Sequence, residues 1–400
     1  MTEQVLSDIK VLDFTQDLAG PFCTKMLADY GAEVIKVERP GTGDRTRRYG
    51  PFPHDNPDPE KSGLFLFLNT NKKSVTLDLK TDIGMRIAKD LAKDAQIVVE
   101  SFRPGTMERF GLGYKDIEKI NPGMVMTSIS TFGQTGPYRD FRATDIVLFA
   151  LGGPMYVAGE PEGGPVKYAF GVIPIHLGYV AAGATLAGLW TAEVQGIGQQ
   201  IDFSMMEALQ SNANFQLAHH LIYQYVHEIP PREITSFGMI PFGNYPCKDG
   251  WIFALILQAD FPVLCNKLMK MPELLEQFPN VYDSSRKDEF DSVFINWLSD
   301  YTKEELLQKA GPLGLNIAPL NTIEEVYNDV HFNARGVFSE IDSPLAGKFK
   351  YPGRPFLNED MPWAIKSPAP RLGEHNVEIL CDRLGYSKQE LVRLRQMGVV

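Results

Sequence analysis

Through roughly the first 135 residues, short apolar runs rich in β-branched side chains alternate with amphipathic stretches. The runs are Ile9–Phe14, Glu33–Glu38, Ser74–Leu79, Ile97–Glu100 and Met124–Ser130. This alternation predicts an α/β fold, a parallel sheet with crossover helices. Between the third and fourth runs, Ile83, Ile87 and Leu91 recur at four-residue spacing beside Ala88, Ala92 and Ala95. That is one buried helix face, and it belongs to the core. From about Gly178 to Ala208 the pattern predicts a small-residue helix, a turn at Gly196–Gln199, a strand at Gln200–Phe203 and another helix.

The register changes after that. Pro230 and Pro231 break the chain, Gly250–Leu257 reads as a strand, and helical spacing follows in Phe261–Leu268 and Ser292–Leu315. The tail is turn-rich through Tyr351–Pro355 and Ser367–Gly373, then closes on a helix with Val377, Leu380, Cys381 and Leu384 on one face. The expected organisation is a large α/β domain beginning with residues 1–225, a small domain at 226–325, and a segment 326–400 that returns to the large domain.

Composition narrows the function classes. At 400 residues, 44% hydrophobic and 22% charged, the chain can bury two or three cores. We find no run of the roughly 18 apolar residues that a membrane span needs, and no signal-like N-terminus, so the expected location is cytoplasmic with no membrane partner. A net charge of -11 argues against nucleic acid as a partner. Cys23, Cys247, Cys265 and Cys381 are scattered without ligand spacing and read as free thiols. His219, His220 and His227 lack a carboxylate or cysteine to complete a metal set, so no metal is expected, and His176 in an apolar stretch reads as a buried, satisfied histidine.

A parallel α/β start raises the question of a dinucleotide. The turn after Ile9–Phe14 reads TQDLAGPFC, with Gly20 alone where the dinucleotide fingerprint needs three glycines. NAD and FAD are therefore not expected. Three basic stretches flank strand ends instead: Arg39 in ERPGTGDRTRR, Lys72 and Lys73 in NTNKKSVTLDL, and Arg103 and Arg109 in ESFRPGTMERFG. Ligands of open α/β sheets collect outside the carboxyl ends of strands, where these cations could meet phosphates; solvated surface charge is the other reading.

Longer motifs add a resemblance. The stretches VLDFTQDLAGPFCTKMLADYGAEVIKVERPGTGDRTR, NTNKKSVTLDL, ESFRPGTMERFGLGY, INPGMVMTSISTFGQTGPY, the GIGQ turn with IDFSMMEA, and the terminal APRLGEH are similar, in the same order, to class III coenzyme A transferases. The resemblance implies a Rossmann-like large domain built from both chain ends, a smaller α+β domain, and interlocked dimers. It also implies coenzyme A thioester as substrate, bound at loops matching Gln16, Asp17, Leu18, Ala19, Arg39, Asn71, Lys72, Lys73, Ser101, Phe102, Arg103 and Arg109. At Leu18, formyl-CoA transferase of this family has a glutamine instead.

In that family an aspartate attacks the donor thioester, forming a mixed anhydride and then an aspartyl-CoA thioester from which the acceptor acid takes CoA. The aspartate stands four residues before the glycine that opens the small-residue helix. Counting back from Gly196, Gly198 and Gln199 through Gly178 lands on Pro174, and residues 163–192 contain no Asp or Glu. Asp145 matches another family position and reads as structural. Thr144 and Pro174 occupy the places of the His and Asp that serve the racemase branch. The expectation is therefore an aspartate-lacking subunit, paired with a related chain that carries the nucleophile.

Overall fold

The structure, a computed structural model, describes residues 4–159, 163–212, 214–229 and 239–400; the side chains of 212 and 214–219, His219 among them, lie outside that description, as do Pro230 and Pro231. The chain divides into two compact units. One comprises Met1–Met155, Lys167–Gln224 and Gly336–Val400; the other comprises Tyr156–Val166 and Tyr225–Arg335.

The first unit is built on a six-stranded sheet of β1 (Lys10–Phe14), β2 (Glu33–Glu38), β3 (Lys72–Thr76), β4 (Ile97–Glu100), β5 (Val125–Ser130) and β6 (Gln199–Ser204), in the order β3-β2-β1-β4-β5-β6. Every neighbouring pair is parallel. The strands are buried on both faces over β1 to β5, which is why each reads as a nearly unbroken apolar run rather than an alternating one. Strand order reverses direction at β1 and β4, the kind of switch point at whose carboxyl ends ligands of open α/β sheets collect.

The second unit holds an antiparallel sheet of β7 (Phe242–Cys247), β8 (Gly250–Leu255) and β9 (Asn316–Pro319), order β7-β8-β9. Phe261, Phe278, Phe290 and Phe294 pack in its core. A hairpin of β10 (Phe338–Ser343) and β11 (Gly347–Pro352) follows in the first unit. The turn-rich reading of the tail missed this hairpin. The expected helix Ser292–Leu315 is two, Lys287–Leu298 and Lys303–Ala310, because Thr302 and Glu305 form a capping box that starts a new helix.

The expected small-residue helix is longer than its alanines suggest, running Val172–Gln195 from Gly171, whose φ of +83° suits glycine. Its close approach to the helix Ala19–Asp29 depends on Gly178, where an added Cβ would stand 2.7 Å from the Ala19 carbonyl oxygen. Contrary to the sequence reading, this helix is long and apolar enough to cross a membrane by length and composition, and half of its most apolar window is buried inside the structure. His176 is not buried: it lies on this helix's exposed face.

The C-terminal segment closes the sheet. Ile379, Leu380, Leu391, Leu394, Val399 and Val400 share one core with Leu12, Ile35, Val75 and Val98. An edge strand presents unpaired amides, and here β3 has them capped by side chains. Ser74 N–H donates to His375 Nδ1 at 3.1 Å and Thr76 N–H to Asn376 Oδ1 at 2.9 Å, while Gly373 N–H donates to Ser74 Oγ at 2.9 Å. Burial pulls His375 below the usual histidine range, with Glu374 and Glu378 opposing and Lys73 assisting. Accepting an amide N–H requires the neutral ring at Nδ1. A base with a depressed folded value gives stability that is full above its unfolded value of about 6.5 and is lost as pH falls toward the folded one. Urea unfolding at pH 7.5 and 5.5 should show wild type losing its stability advantage over His375→Gln at the lower pH; an advantage unchanged by pH would refute the clasp.

Candidate functional site

The carboxyl edge of the parallel sheet gathers part of the expected coenzyme A loops. After β1 the chain turns through Gln16 and Asp17, the latter at φ +66°, into Leu18 and the helix that starts at Ala19. After β4 come Ser101, Phe102 and Arg103. The two loops meet across the switch point, where Gln16 N–H donates to Ser101 Oγ at 2.9 Å. Phe102 is half-buried edge-on against Phe110. Its N–H donates to Glu100 Oε2 at 2.8 Å; burial pushes that carboxyl up to about 7, and hydrogen bonds from Ser128 and the Phe102 amide work against the rise.

Arg39, Arg103 and Arg109 are exposed at this edge. Arg39 follows β2, and two strand spacings, about 10 Å, separate its strand from β4. Arg103 donates to the Asp140 carbonyl at 2.9 Å and Arg109 to Thr106 Oγ1 at 3.0 Å, so both guanidinia keep donors to spare. Asp17 is engaged: Arg45 lies 3.3 Å from its carboxylate.

Asn71, Lys72 and Lys73 are elsewhere. β3 begins at Lys72, whose register partner is Val34 at the start of β2, while Thr76 pairs with Glu38. In a parallel sheet this puts Lys72 and Lys73 about 13 Å down the strand from the edge that carries Arg39. Their side chains are committed as well. Lys72 Nζ, fully buried, is ringed by Asp13 Oδ2 at 3.2 Å, the Pro21 carbonyl and Thr24 Oγ1 at 2.8 Å, and Asn69 Oδ1 at 2.9 Å. Burial lowers it to about 8. Lys73 pairs with Glu33 and Glu378 at 2.8 and 2.7 Å. Asn71 donates to Asp29 and the Ala364 carbonyl and accepts from the amides of Lys366 and Ser367.

The sequence reading placed the strand two residues late, at Ser74, and so read two strand lysines as loop cations. What does follow β3 at the carboxyl edge is Leu77–Lys80, with Lys80 exposed; Arg142, exposed beyond β5, was also missed. The TLDLK stretch held the signal, once the strand is started at Lys72.

The first turn of the Val172–Gln195 helix lies against the β1 loop. Leu18 is 7% exposed, and its Cδ1 is 3.6 Å from where a Cβ on Gly171 would sit. Pro174 is the third residue of the helix and is buried with Ile173 and Leu177. Proline is tolerated there because a first-turn N–H has no intrahelical acceptor. Thr144 immediately precedes the helix Asp145–Leu151, and Asp145 is paired to Lys167 at 3.0 Å, a structural contact. Among the described residues no group of three His, Cys, Asp or Glu could hold a metal.

A profile of CoA-transferase family III matches residues 6–376. The chain belongs to this family. It is 33% identical over 404 residues to mouse succinyl-CoA:glutarate CoA-transferase, covering 99% of this chain and 90% of that one. It is 33% identical to the beta subunit of succinyl-CoA–L-malate CoA-transferase of Chloroflexus aurantiacus, covering 99% and 98%. Among solved structures, a CAIB/BAIF family protein from Brucella suis superposes with a TM-score of 0.83 at 27% identity, covering 96% of this chain and all of that one. CoA thioesters are the substrates of this family, whose activity is CoA transfer.

The geometry separates two kinds of cation. Lys72→Met takes from buried Asp13 one of the two lysines that hold its charge and should lower unfolding free energy by about 3 kcal/mol, read by urea denaturation. Arg39→Ala should leave stability unchanged and weaken CoA binding by about tenfold or more, from one lost charge-assisted hydrogen bond. Equal stability of both variants would contradict this assignment.

Proposed function

We propose that this chain is the non-catalytic subunit of a heteromeric, cytoplasmic family III CoA-transferase, whose aspartate-bearing partner moves CoA from a thioester such as succinyl-CoA to a carboxylic acid. The observation that carries the reading is Pro174: it stands in the first turn of the helix beside the CoA loop, and residues 163–192 offer no carboxylate in its place. The partner's carboxylate would attack the acyl carbon of the thioester, breaking the C–S bond, expelling CoA thiolate and leaving a mixed anhydride. The thiolate would then take the aspartyl carbonyl, freeing the donor acid. Acceptor carboxylate reverses both steps and regenerates the aspartate.

Pairing has its own support. Along the Val172–Gln195 helix, Val172, His176, Tyr179, Gly183, Leu186, Trp190 and Val194 recur at three- and four-residue spacing, all on the exposed face, with Trp190 at 69%. A stripe of that length and apolarity marks an interaction surface. The L-malate transferase of Chloroflexus has chains named alpha and beta subunits, and an interlocked dimer would cover such a face.

The relatives' names give glutarate, D-citramalate and L-malate as partners of succinyl-CoA, all dicarboxylic acids, so we infer a dicarboxylic acceptor. The sequence resembles the aspartate-lacking subunit of succinyl-CoA:(R)-benzylsuccinate CoA-transferase, and we take (R)-benzylsuccinate, an acid of anaerobic aromatic degradation, as the acceptor to try first. The test is expression alone and together with an aspartate-bearing relative, followed by chromatography, assay with succinyl-CoA and intact-mass analysis. A soluble heteromer, active only with both chains and bearing a CoA adduct on the partner, is expected. A CoA adduct on this chain, for instance on Asp17, the half-buried carboxylate of the β1 loop, would instead make it an active homodimeric enzyme. Absence of transfer in every mixture would leave a CoA-binding scaffold.

A further inference from the structure

Among the described residues five carboxylates are buried, and four of them have a cation. Asp13 pairs with Lys72 at 3.2 Å, Asp29 with Lys25 at 2.7 Å, Glu38 with Arg47 at 2.7 Å and Asp44 with Lys36 at 2.8 Å. Glu100, 4% exposed at the end of β4, has no ion-pair partner among the described residues.

The elements packed around Glu100 supply no countercharge. Its register partners are Phe14 on β1 and Ser128 on β5, and Ser128 in turn pairs with Asp202 on β6. The short helix Thr106–Arg109 brings Glu108, whose charge acts on Glu100 in the same sense as that of Asp202. Arg109 of that helix is exposed and donates to Thr106 Oγ1 instead. Only neutral donors serve Glu100, the Phe102 N–H at 2.8 Å and the Ser128 hydroxyl. Burying an isolated carboxylate is costly, and a group so placed gives up its charge rather than its position.

The loop that Glu100 anchors is fastened at each of its three residues. Ser101 Oγ accepts the Gln16 N–H at 2.9 Å, Phe102 N–H donates to Glu100, and Arg103 donates to the Asp140 carbonyl at 2.9 Å. Of these fastenings, only the one at Glu100 involves a group that titrates near neutral pH. An ionised Glu100 needs water, and water reaches it when the loop lifts.

We propose that Glu100, as a neutral acid, is the positioning residue that holds the Ser101–Arg103 loop closed on the β1 loop for the transfer reaction, and that the loop opens when this residue loses its proton. A neutral acid also spares the incoming CoA thioester, anionic through its phosphates, a negative charge beneath the loop. That benefit rests on the reading of this loop as a CoA loop; the hold on the loop does not.

Burial pushes Glu100 up to about 7 with the loop closed, against an ordinary value of about 4.3 with it open. Closure is therefore favoured in full below about 4.3, weakens as pH rises to about 7 and is level above. Hydrogen–deuterium exchange of the full-length chain, alone or in its heteromer, reads this at the Ser101–Arg103 amides after correction for intrinsic rates. Protection should fall about tenfold between pH 5.8 and 7.5 and stay level to about pH 8.5. Glu100→Gln, an uncharged isostere that still accepts the Phe102 N–H, should keep the low-pH protection throughout. If that variant folds poorly, Ser128→Ala, which removes a donor favouring the ionised form, should extend the fall to higher pH. Wild-type protection independent of pH, or a Gln variant with the wild-type dependence, would overturn the proposal. A loop that titrates as expected in a protein that binds no succinyl-CoA would uphold it and remove the CoA reading instead.

Discussion

A buried ionic lattice under the carboxyl ends of β1 and β2 sets the geometry on which the site depends. Asp13 lies between Lys72 and Lys36; Lys36 reaches Asp44 at 2.8 Å and the Thr15 carbonyl at 2.8 Å; Arg47 chelates Glu38 and rests 3.6 Å over the ring of Phe65. The charges balance, three basic against three acidic. Burial alone would raise Asp13, but Lys36 and Lys72 hold it below its usual range. Buried pairs contribute little net stability compared with apolar packing, yet any one partner is expensive to remove. Their effect is positional. Asp44 caps the turn at Thr46 and accepts the Asp17 amide, so the motif GTGD holds the β1 loop in place.

Much of the first unit was legible because parallel strands announce themselves as apolar runs between amphipathic helices. The helix face of Ile87, Ala88, Leu91 and Ala92 is buried as its spacing demands. Charged strand residues were harder to place. Lys72 and Lys73 look like loop cations, since lysine is depleted in strands, and only the surrounding acids Asp13, Glu33 and Glu378 make a strand start there tolerable. Those acids come from positions 59, 40 and 305 residues away, a relation that no local window contains. His176 failed for a related reason: apolar neighbours suggest burial, and a helix can carry an apolar stripe on its exposed face when another surface is meant to cover it.

The candidate site combines an ordered loop scaffold with an apolar first helical turn. The turn after β1, the switch-point hydrogen bond and the exposed arginines are all in place. Beside them stand Leu18 and Pro174, both buried. Proline fits there at little structural cost, since a first-turn N–H has no intrahelical acceptor. The far side of the same helix carries an exposed, largely apolar stripe that includes Tyr179, Leu186 and Trp190.

The clasp of Gly373, His375 and Asn376 on β3 has a consequence for biosynthesis. The strand it protects is complete about 300 residues before the clasp exists, and a ribosome adds roughly 5–20 residues each second. During that interval the growing sheet has an open flank able to recruit any extended peptide. Nascent chains would thus depend on chaperone cover until the last residues emerge, and premature termination near the C-terminus would leave not a shortened protein but an adhesive one.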